Sequence, residues 1–294
     1  MYGWIHAEKA KTPARSIAMM CRMLRVSRSG FYDWRRRLTG PPSPRQAEDR
    51  VLLAHIKILH GRLGSYGSPR IHQELVRADV RVGRHRVARL MRDNEIRAVR
   101  GKRKARPRSA PPVRRPEVRD LVRRIFDRPR PNMLWFTDLT MIRTGQGFLR
   151  AAVIIDAHSR RVISWATADH ETPQTAYTAL RDAITLRKPP PRCIIHSDRG
   201  YQFTSETWLA LATKAGMMPS IGQNHSALDN AAMESWFGSF KNEALHPYPQ
   251  PKTYNEARLK LLQYITFYNT KRLHSSRGYQ TPVAYETAHT HPSA

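Results

Sequence analysis

One stretch of the sequence decides the fold: residues 134–140, Leu134-Trp135-Phe136-Thr137-Asp138-Leu139-Thr140. It is predicted to be a strand in which Asp138 stands among apolar neighbours. A carboxylate in such a place is costly to bury unless a partner compensates it. A hard divalent cation is a natural partner, because Mg²⁺ takes oxygen ligands and keeps waters for a substrate phosphate. The stretch therefore predicts a strand that carries a metal-binding acid.

Two further acids stand out downstream of this strand. Asp198 follows the apolar strand Cys193-Ile194-Ile195, and Glu234 lies on a predicted helix. Phosphodiester chemistry uses such a set, because two metal ions about 3.5–4 Å apart can activate the attacking oxygen and stabilise the leaving one. One aspartate can bridge both metals while the other two acids hold one each. Asp138, Asp198 and Glu234 are therefore the candidate catalytic residues and metal ligands.

The elements around these acids alternate between strands and helices. Three strands joined by short loops are predicted at residues 133–143, 148–156 and 161–168. They are followed by a helix at 172–186, a buried strand at 192–196, a helix at 204–215, a short strand at 218–221 and a helix at 229–245. This order is that of a ribonuclease H-like domain, an α/β fold with a five-stranded mixed sheet flanked by helices.

The first third of the chain is predicted to be helical and basic. Residues 1–44 form an N-terminal helical segment, and residues 45–96 form a helix-turn-helix domain. The last helix of this domain, at 84–94, shows an outer face of arginines that could lie in a DNA groove: Arg86, Arg89 and Arg92. The alternative is a small helical bundle with a solvated basic face.

Residues 97–131 are predicted to be a basic, proline-rich linker that leads into the catalytic core at 132–290. A stretch of this composition does not bury enough apolar surface to order itself. It is expected to follow a phosphate backbone when DNA is bound, with basic residues that include Lys102, Arg103 and Lys104.

Composition limits the class of partner. The 294 residues include 51 Lys and Arg against 23 Asp and Glu, a formal net charge of +28. Such an excess is typical of a protein that binds a polyanion. No apolar run is long enough to predict a membrane span, so nucleic acid is the expected partner. Two cysteines, without a CxxC pair, provide neither a disulfide framework nor a cysteine zinc site, which favours the cytoplasm.

Five blocks of sequence, in order, resemble one family: three in the core, one upstream in two parts and one downstream in two parts. The family is the bacterial insertion-sequence transposases with a retroviral-integrase-like core, specifically the second reading-frame product of the IS-three family. In the core the blocks read WFTDLT, HSDRGYQF and DNAAMESWF, and 35 residues separate Asp198 from Glu234. Upstream, residues 24–32 and 66–71 resemble the family's helical DNA-binding region. Downstream, residues 268–274 and 278–282 resemble its closing motif.

The resemblance implies specific roles. Asp138, Asp198 and Glu234 would form a D,D(35)E triad that holds two Mg²⁺ ions, with Mn²⁺ as a substitute. Lys241, two helical turns after Glu234, would contact transposon-end DNA. Asn230, one turn before Glu234, is expected to help position the DNA, and Gly238 lies between Glu234 and Lys241, where DNA could approach the backbone closely.

The resemblance also implies partners. The protein is expected to bind transposon ends and target DNA as a homodimer or larger assembly, in the cytoplasm and associated with the nucleoid. An upstream-frame partner protein, often joined by a frameshift fusion, would supply end recognition. Two alternatives stay open: a DNA-binding regulator or domesticated element without catalysis, and a metal-dependent nuclease that cuts without joining. A further acid, Asp156, is expected to be structural and to bind the following turn.

Overall fold

Six helices make up the N-terminal region of the computed structural model, which describes residues 1–99, 118–222 and 230–290. They are α1 (Tyr2–Lys11), α2 (Ile17–Met23), α3 (Arg28–Thr39), α4 (Pro44–Arg62), α5 (Ser68–Arg77) and α6 (Arg84–Asp93). The first three enclose a small core of Ile5, Met20, Cys21 and Phe31. Ser27 caps α3, because its hydroxyl accepts a hydrogen bond from Gly30 N at 3.2 Å. Helix α1 has no counterpart among the helices that the sequence predicts individually.

Helices α4, α5 and α6 form the helix-turn-helix region that the sequence predicts. A capping box starts α4, in which Ser43 Oγ accepts from Gln46 N and the Gln46 side chain accepts from Ser43 N. The apolar faces of the three helices meet in one core, which includes Leu52, Ile56, Ile71, Leu75, Val87 and Leu90. The linker residues Lys102, Arg103 and Lys104 lie outside the described residues.

A five-stranded mixed sheet forms the centre of the following domain. Its strands are β1 (Leu134–Thr144), β2 (Gly147–Asp156), β3 (Val162–Ala168), β4 (Ile194–Ser197) and β5 (Met218–Ile221). Their order across the sheet is β3-β2-β1-β4-β5. Strand β2 is antiparallel to both β1 and β3, whereas β4 runs parallel to β1 and β5 parallel to β4. The ribonuclease H-like α/β architecture expected from the sequence is confirmed.

Helices cover both faces of this sheet because successive strand residues point to opposite faces. On β1, Leu134 and Phe136 join the core on one face, and Trp135 joins the core on the other. Helices α7 (Pro173–Arg187) and α8 (Glu206–Lys214) cover the Trp135 face. Helices α9 (Ala231–Phe240) and α10 (Tyr254–Thr270) cover the opposite face. The apolar stripe of α9, Trp236, Phe237 and Phe240, is core as its spacing predicts.

The helix predicted at 229–245 changes type near its end. After α9 the chain forms a π-helical turn at Lys241–Leu245. Within this turn, the Glu243 carboxylate accepts hydrogen bonds from Arg272, at 2.8 Å from Nε and 2.6 Å from Nη2, and from the Tyr264 hydroxyl at 3.1 Å. These partners come from α10 and the segment after it, so the change of helix type coincides with tertiary contacts that the local sequence does not reveal.

A buried carboxylate of the last helix, α11 (Pro282–Thr290), links it to the sheet domain. Glu286 is buried and accepts from Arg187 Nη1 at 2.6 Å, Arg161 Nη1 at 2.9 Å and Ser159 Oγ at 2.8 Å. Asp156 accepts from Ser159 N in the turn that follows it, at 2.8 Å, which confirms the structural role predicted for this acid.

The closing segment, residues 271–281, packs against the helix-turn-helix region. Leu273 is buried in the core of α4–α6. Its main-chain N donates to the Tyr66 hydroxyl at 2.8 Å, and its carbonyl accepts from Arg70 Nε at 3.0 Å. Arg77 Nη2 donates to Tyr279 O at 2.9 Å. None of the helices in the described parts of the chain is long and apolar enough to cross a membrane.

Candidate active site

The register of the sheet brings two of the three candidate acids to one place. Strands β1 and β4 are parallel neighbours, with Leu134 opposite Ile194 and Phe136 opposite His196. Continuing this register by two residues sets Asp198, which directly follows β4, opposite Asp138. Parallel neighbours in a sheet lie about 4.8 Å apart. The pairing of these two strands, which the sequence alone does not specify, is therefore what brings the aspartates together.

Main-chain amides orient both aspartate side chains. Leu139 N donates to Asp138 Oδ1 at 2.7 Å, and Gly200 N donates to Asp198 Oδ1 at 2.9 Å. Each bond uses Oδ1, so the Oδ2 atom of either aspartate could serve as a metal ligand. His196, beside Asp198 in sequence, is buried with Nδ1 at 2.9 Å from Ser220 Oγ, as expected of a satisfied histidine near the core.

Asn230 anchors the helix that carries Glu234. Its side-chain amide donates to the carbonyl of Thr137, next to Asp138, at 3.2 Å. Its own carbonyl accepts from Glu234 N at 3.1 Å and so starts α9. Asn230 is buried, and its side-chain oxygen has no partner among the described residues. The first turn of α9 is thereby fixed beside the middle of β1, and Asn230 acts on the site through its position.

The electrostatics of Asp138 reflect this arrangement. Burial, and after it the negative charge of Asp198, raise the pKa of Asp138 well above its usual value. The hydrogen bond from Leu139 N lowers this pKa, Glu234 raises it further, and the positive charge of Lys241 lowers it. Asp198, Glu234 and Lys241 therefore all act electrostatically on Asp138. The pKa of Asp198 is also raised, mainly by its removal from water.

The chemistry of the candidate ligands suits a hard cation. The three candidate ligands offer only carboxylate oxygens, which Mg²⁺ prefers, and a cation would offset the repulsion that raises the pKa of Asp138. Over residues 1–99, 118–222 and 230–290, no group of three or more His, Cys, Asp or Glu side chains is gathered closely enough to hold one ion.

Two of the candidate DNA-binding arginines of α6 form ion pairs with α4. Arg86 Nε lies 2.7 Å from Asp49 Oδ1, and Arg89 Nη2 lies 2.6 Å from Asp49 Oδ2. Glu48 adds a contact to Arg86 Nη2 at 2.9 Å. Hydrogen bonds from both arginines lower the pKa of Asp49. Arg92 is exposed over 77% of its side chain, so it presents the most accessible charge of the three.

Family comparisons agree with this geometry. The model called "Integrase core domain" matches residues 128–227, a second model of that description matches 215–282, and "HTH-like domain" matches 46–104. Transposase InsF of insertion sequence IS3A, from Escherichia coli K12, is 35% identical over 92% of this chain and 94% of its own length. The chain belongs to the IS3 (IS-three) family of transposases.

A second curated relative matches this chain over a similar length. The "Insertion element IS600 uncharacterized 31 kDa protein" of Shigella sonnei is 34% identical over 90% of this chain and 97% of its own length. Among solved structures, the catalytic core domain of HTLV-2 integrase in complex with magnesium is 22% identical, covering 52% of this chain and 94% of that chain with a TM-score of 0.41. As a transposase with an HTH-like domain, the protein acts on DNA.

Proposed function

We propose that this transposase cuts DNA at the 3′ ends of its insertion sequence and joins them to target DNA through the triad Asp138, Asp198 and Glu234. The observation that carries the proposal is the site's construction. The β1–β4 register sets the two aspartates opposite each other, and Asn230 anchors the helix of Glu234 to the strand of Asp138. The charges of Asp198 and Glu234, which both raise the pKa of Asp138, support the same grouping.

Two Mg²⁺ ions, or Mn²⁺ in their place, would be held by these three carboxylates and would supply Lewis-acid activation of the attacking and leaving oxygens. The chain's own residues prepare the site. Leu139 N and Gly200 N fix the aspartate side chains. Lys241, whose positive charge already acts on Asp138, is placed to neutralise a DNA phosphate near the acids.

The proposed chemistry has two steps that share one set of residues. In the first, water attacks the phosphodiester at the 3′ end, and the freed 3′-hydroxyl remains on the transposon strand. In the second, this hydroxyl attacks a target phosphodiester, forms the new P–O bond and releases the target's own 3′-hydroxyl. Water and then a DNA hydroxyl are the nucleophiles, so neither step needs a covalent bond between the protein and the DNA.

The assembly belongs to the same proposal. A homodimer or larger complex would hold two transposon ends together, and the upstream-frame protein, often fused by frameshifting, would help to recognise them. Both expectations come from the resemblance of the sequence blocks described above. The role of the upstream-frame protein is tested by running the joining reaction with and without it.

The experiment is strand transfer on labelled DNA that carries the element's own ends, with Mg²⁺ or Mn²⁺. Glu234→Gln is expected to lower joining by at least about 10²-fold, the scale on which disturbing a metal site acts. Glu206→Gln, an exposed acid in the first turn of α8, is the matched control and should leave joining unchanged. Cutting without joining in every arrangement would indicate a nuclease. DNA binding without chemistry, unaffected by Glu234→Gln, would indicate a regulator.

A further inference from the structure

A cavity of about 310 Å³ lies between the helix-turn-helix region, the closing segment and α9. Three arginines from different parts of the chain line it: Arg70 of α5, Arg160 of the turn between β2 and β3, and Arg272 of the closing segment. Ser235 and Ser239 face it from α9, and His274 closes one side. This cavity does not include the triad residues, and the family models give it no role.

The positive charge around this cavity is only partly compensated. Arg272 is held by Glu243 through two hydrogen bonds and donates to Ser239 Oγ at 3.2 Å. Arg70 donates to a main-chain carbonyl, Leu273 O, and not to a carboxylate. Within the described residues, no acidic oxygen lies within 4.0 Å of the Arg160 guanidinium. Of the three guanidinium groups around the cavity, only that of Arg272 is paired directly with a carboxylate. This excess of positive charge favours an anionic occupant.

His274 gives a second, independent indication. The residue is only 8% exposed, and its Nε2 has no hydrogen-bond partner among the described residues. Buried polar atoms are rarely left without a partner. Burial, and after it the charges of Arg272, Arg70 and Arg160, lower the pKa of His274 to about 3. The imidazole is therefore neutral at pH 7 and can donate one N–H, and the charges of the three arginines contribute to its low pKa after burial.

The first turn of α9 adds to this potential. Ala231 and Ala232, which begin the helix, line the cavity. The leading N–H groups of a helix have no acceptor within the helix and favour a phosphate there. Arginine is the side chain best suited to bind phosphate oxygens in pairs. Guanidinium groups, hydroxyls and a helix N-terminus are together the donor set of a phosphate site.

We propose that this cavity binds one backbone phosphate of the DNA on which the transposase acts. Ser235 follows Glu234 directly, and successive residues of a helix are rotated by about 100°. The cavity therefore borders the face of α9 next to that of the triad, so one strand can contact both. The inference rests on the proposed function only for the identity of the polymer, because the phosphate chemistry stands on the cavity itself.

The test measures the salt dependence of DNA binding by the full chain in EDTA, with a fluorescent duplex of random sequence as the probe. The slope of log Kobs against log salt is negative, and a lost phosphate contact lowers its magnitude by about 0.9. Arg160→Gln is expected to show this decrease, and Arg160→Lys is expected to restore it. Arg181→Gln is the matched control, because Arg181 is exposed on α7 and pairs with its neighbour Asp182. It should leave the slope unchanged.

A second variant keeps the test independent of any folding defect at Arg160. Ser275→Asp places a carboxylate at the exposed rim of the cavity and should lower the slope in the same way, with an unchanged circular dichroism spectrum. Slopes equal to that of wild type for both variants would overturn the proposal. If the two variants lower the magnitude of the slope but the wild-type protein does not join DNA, the phosphate site is supported and the proposed function is contradicted.

Free phosphate is the other source of the same chemistry. The thermal midpoint is measured in sodium phosphate and in sodium chloride at equal ionic strength. Phosphate should stabilise wild type more than Arg160→Gln, because binding to the folded state raises its stability. Stabilisation of this kind together with an unchanged DNA slope would overturn DNA as the source of the phosphate.

Discussion

The surroundings of Asp138 disfavour its ionised form, since burial and two neighbouring acids raise its pKa. A group of this kind makes the folded protein less stable when it is ionised at neutral pH. Asp138→Asn removes the charge and keeps an oxygen that can accept from Leu139 N. We therefore expect a higher thermal midpoint than wild type in EDTA.

The same variant should lose its response to metal. Mg²⁺ is expected to raise the thermal midpoint of wild type, since an ion that binds only the folded state stabilises it. Asp138→Asn should show a much smaller rise, and Glu206→Gln should respond like wild type. Differential scanning fluorimetry with and without Mg²⁺ measures both effects. An equal Mg²⁺ response in all three proteins would contradict the assignment of Asp138 as a ligand.

His274 predicts a dependence of stability on pH with a definite sign. Its pKa falls from 6.5 in the unfolded chain to about 3 in the folded protein. Between these values the unfolded chain binds the proton more readily, so stability decreases as the pH falls. At pH 5 this group alone should cost about 2 kcal/mol relative to pH 7. Urea unfolding of His274→Gln should show a smaller loss between pH 7 and pH 5 than wild type does.

At the scale of elements, much of the core domain follows from local pattern. The first three strands begin and end within one or two residues of the predicted bounds, because their apolar residues and short connections are local signals. The pairing of β4 with β1 joins residues about 60 positions apart and is not written in either segment. The three candidate acids could therefore be picked out from the sequence, whereas the approach of the Asp198 segment to the strand of Asp138 depends on the fold.

A second set of contacts that the sequence did not predict is made at long range by charged residues. Asp49 neutralises Arg86 and Arg89 from 37 and 40 residues away, so the basic face of α6 is less accessible than its helical spacing suggests. Glu243 and Arg272, 29 residues apart, meet in the π-helical turn. The local pattern predicts α6 correctly, but it misses the change of helix type at Lys241–Leu245. In both cases the partner that limits the charge or the geometry lies in another element.

Gly238 tests whether DNA approaches the triad face of α9. A Cβ added at Gly238 would meet nothing within 4 Å. Gly238→Ala should therefore stabilise the protein by about 0.5–1 kcal/mol through helix propensity. If DNA contacts the backbone here, the same methyl group should reduce strand transfer. Gly61→Ala in α4 is the matched control, because its Cβ also meets open space. It should stabilise the protein without loss of joining, and equal joining by both variants would exclude the close approach.

On the scale of the whole molecule, the closing segment joins the helix-turn-helix region to the sheet domain. Tyr66 is fully buried, and its hydroxyl accepts from Leu273 N. Tyr66→Phe leaves that buried N–H without a partner, at a cost of about 1–3 kcal/mol. We expect faster hydrogen exchange in residues 271–281 and in α5. Tyr32→Phe, at an exposed tyrosine of α3, should leave exchange in these segments unchanged. Unaltered exchange in Tyr66→Phe would mean that the two regions are held together by other contacts.

The contacts of Glu286 have a consequence for synthesis. The ribosome releases Arg161 before it has made residue 286, and 125 residues separate these partners. At 5–20 residues per second this interval is roughly 6–25 s. During that time two arginines of the sheet domain lack the carboxylate that later joins them. A nascent chain that has not yet released α11 therefore lacks the ion pairs that hold this helix to the sheet domain. Since Leu273 completes the core of α4–α6, the helix-turn-helix region is also finished only when the closing segment has emerged.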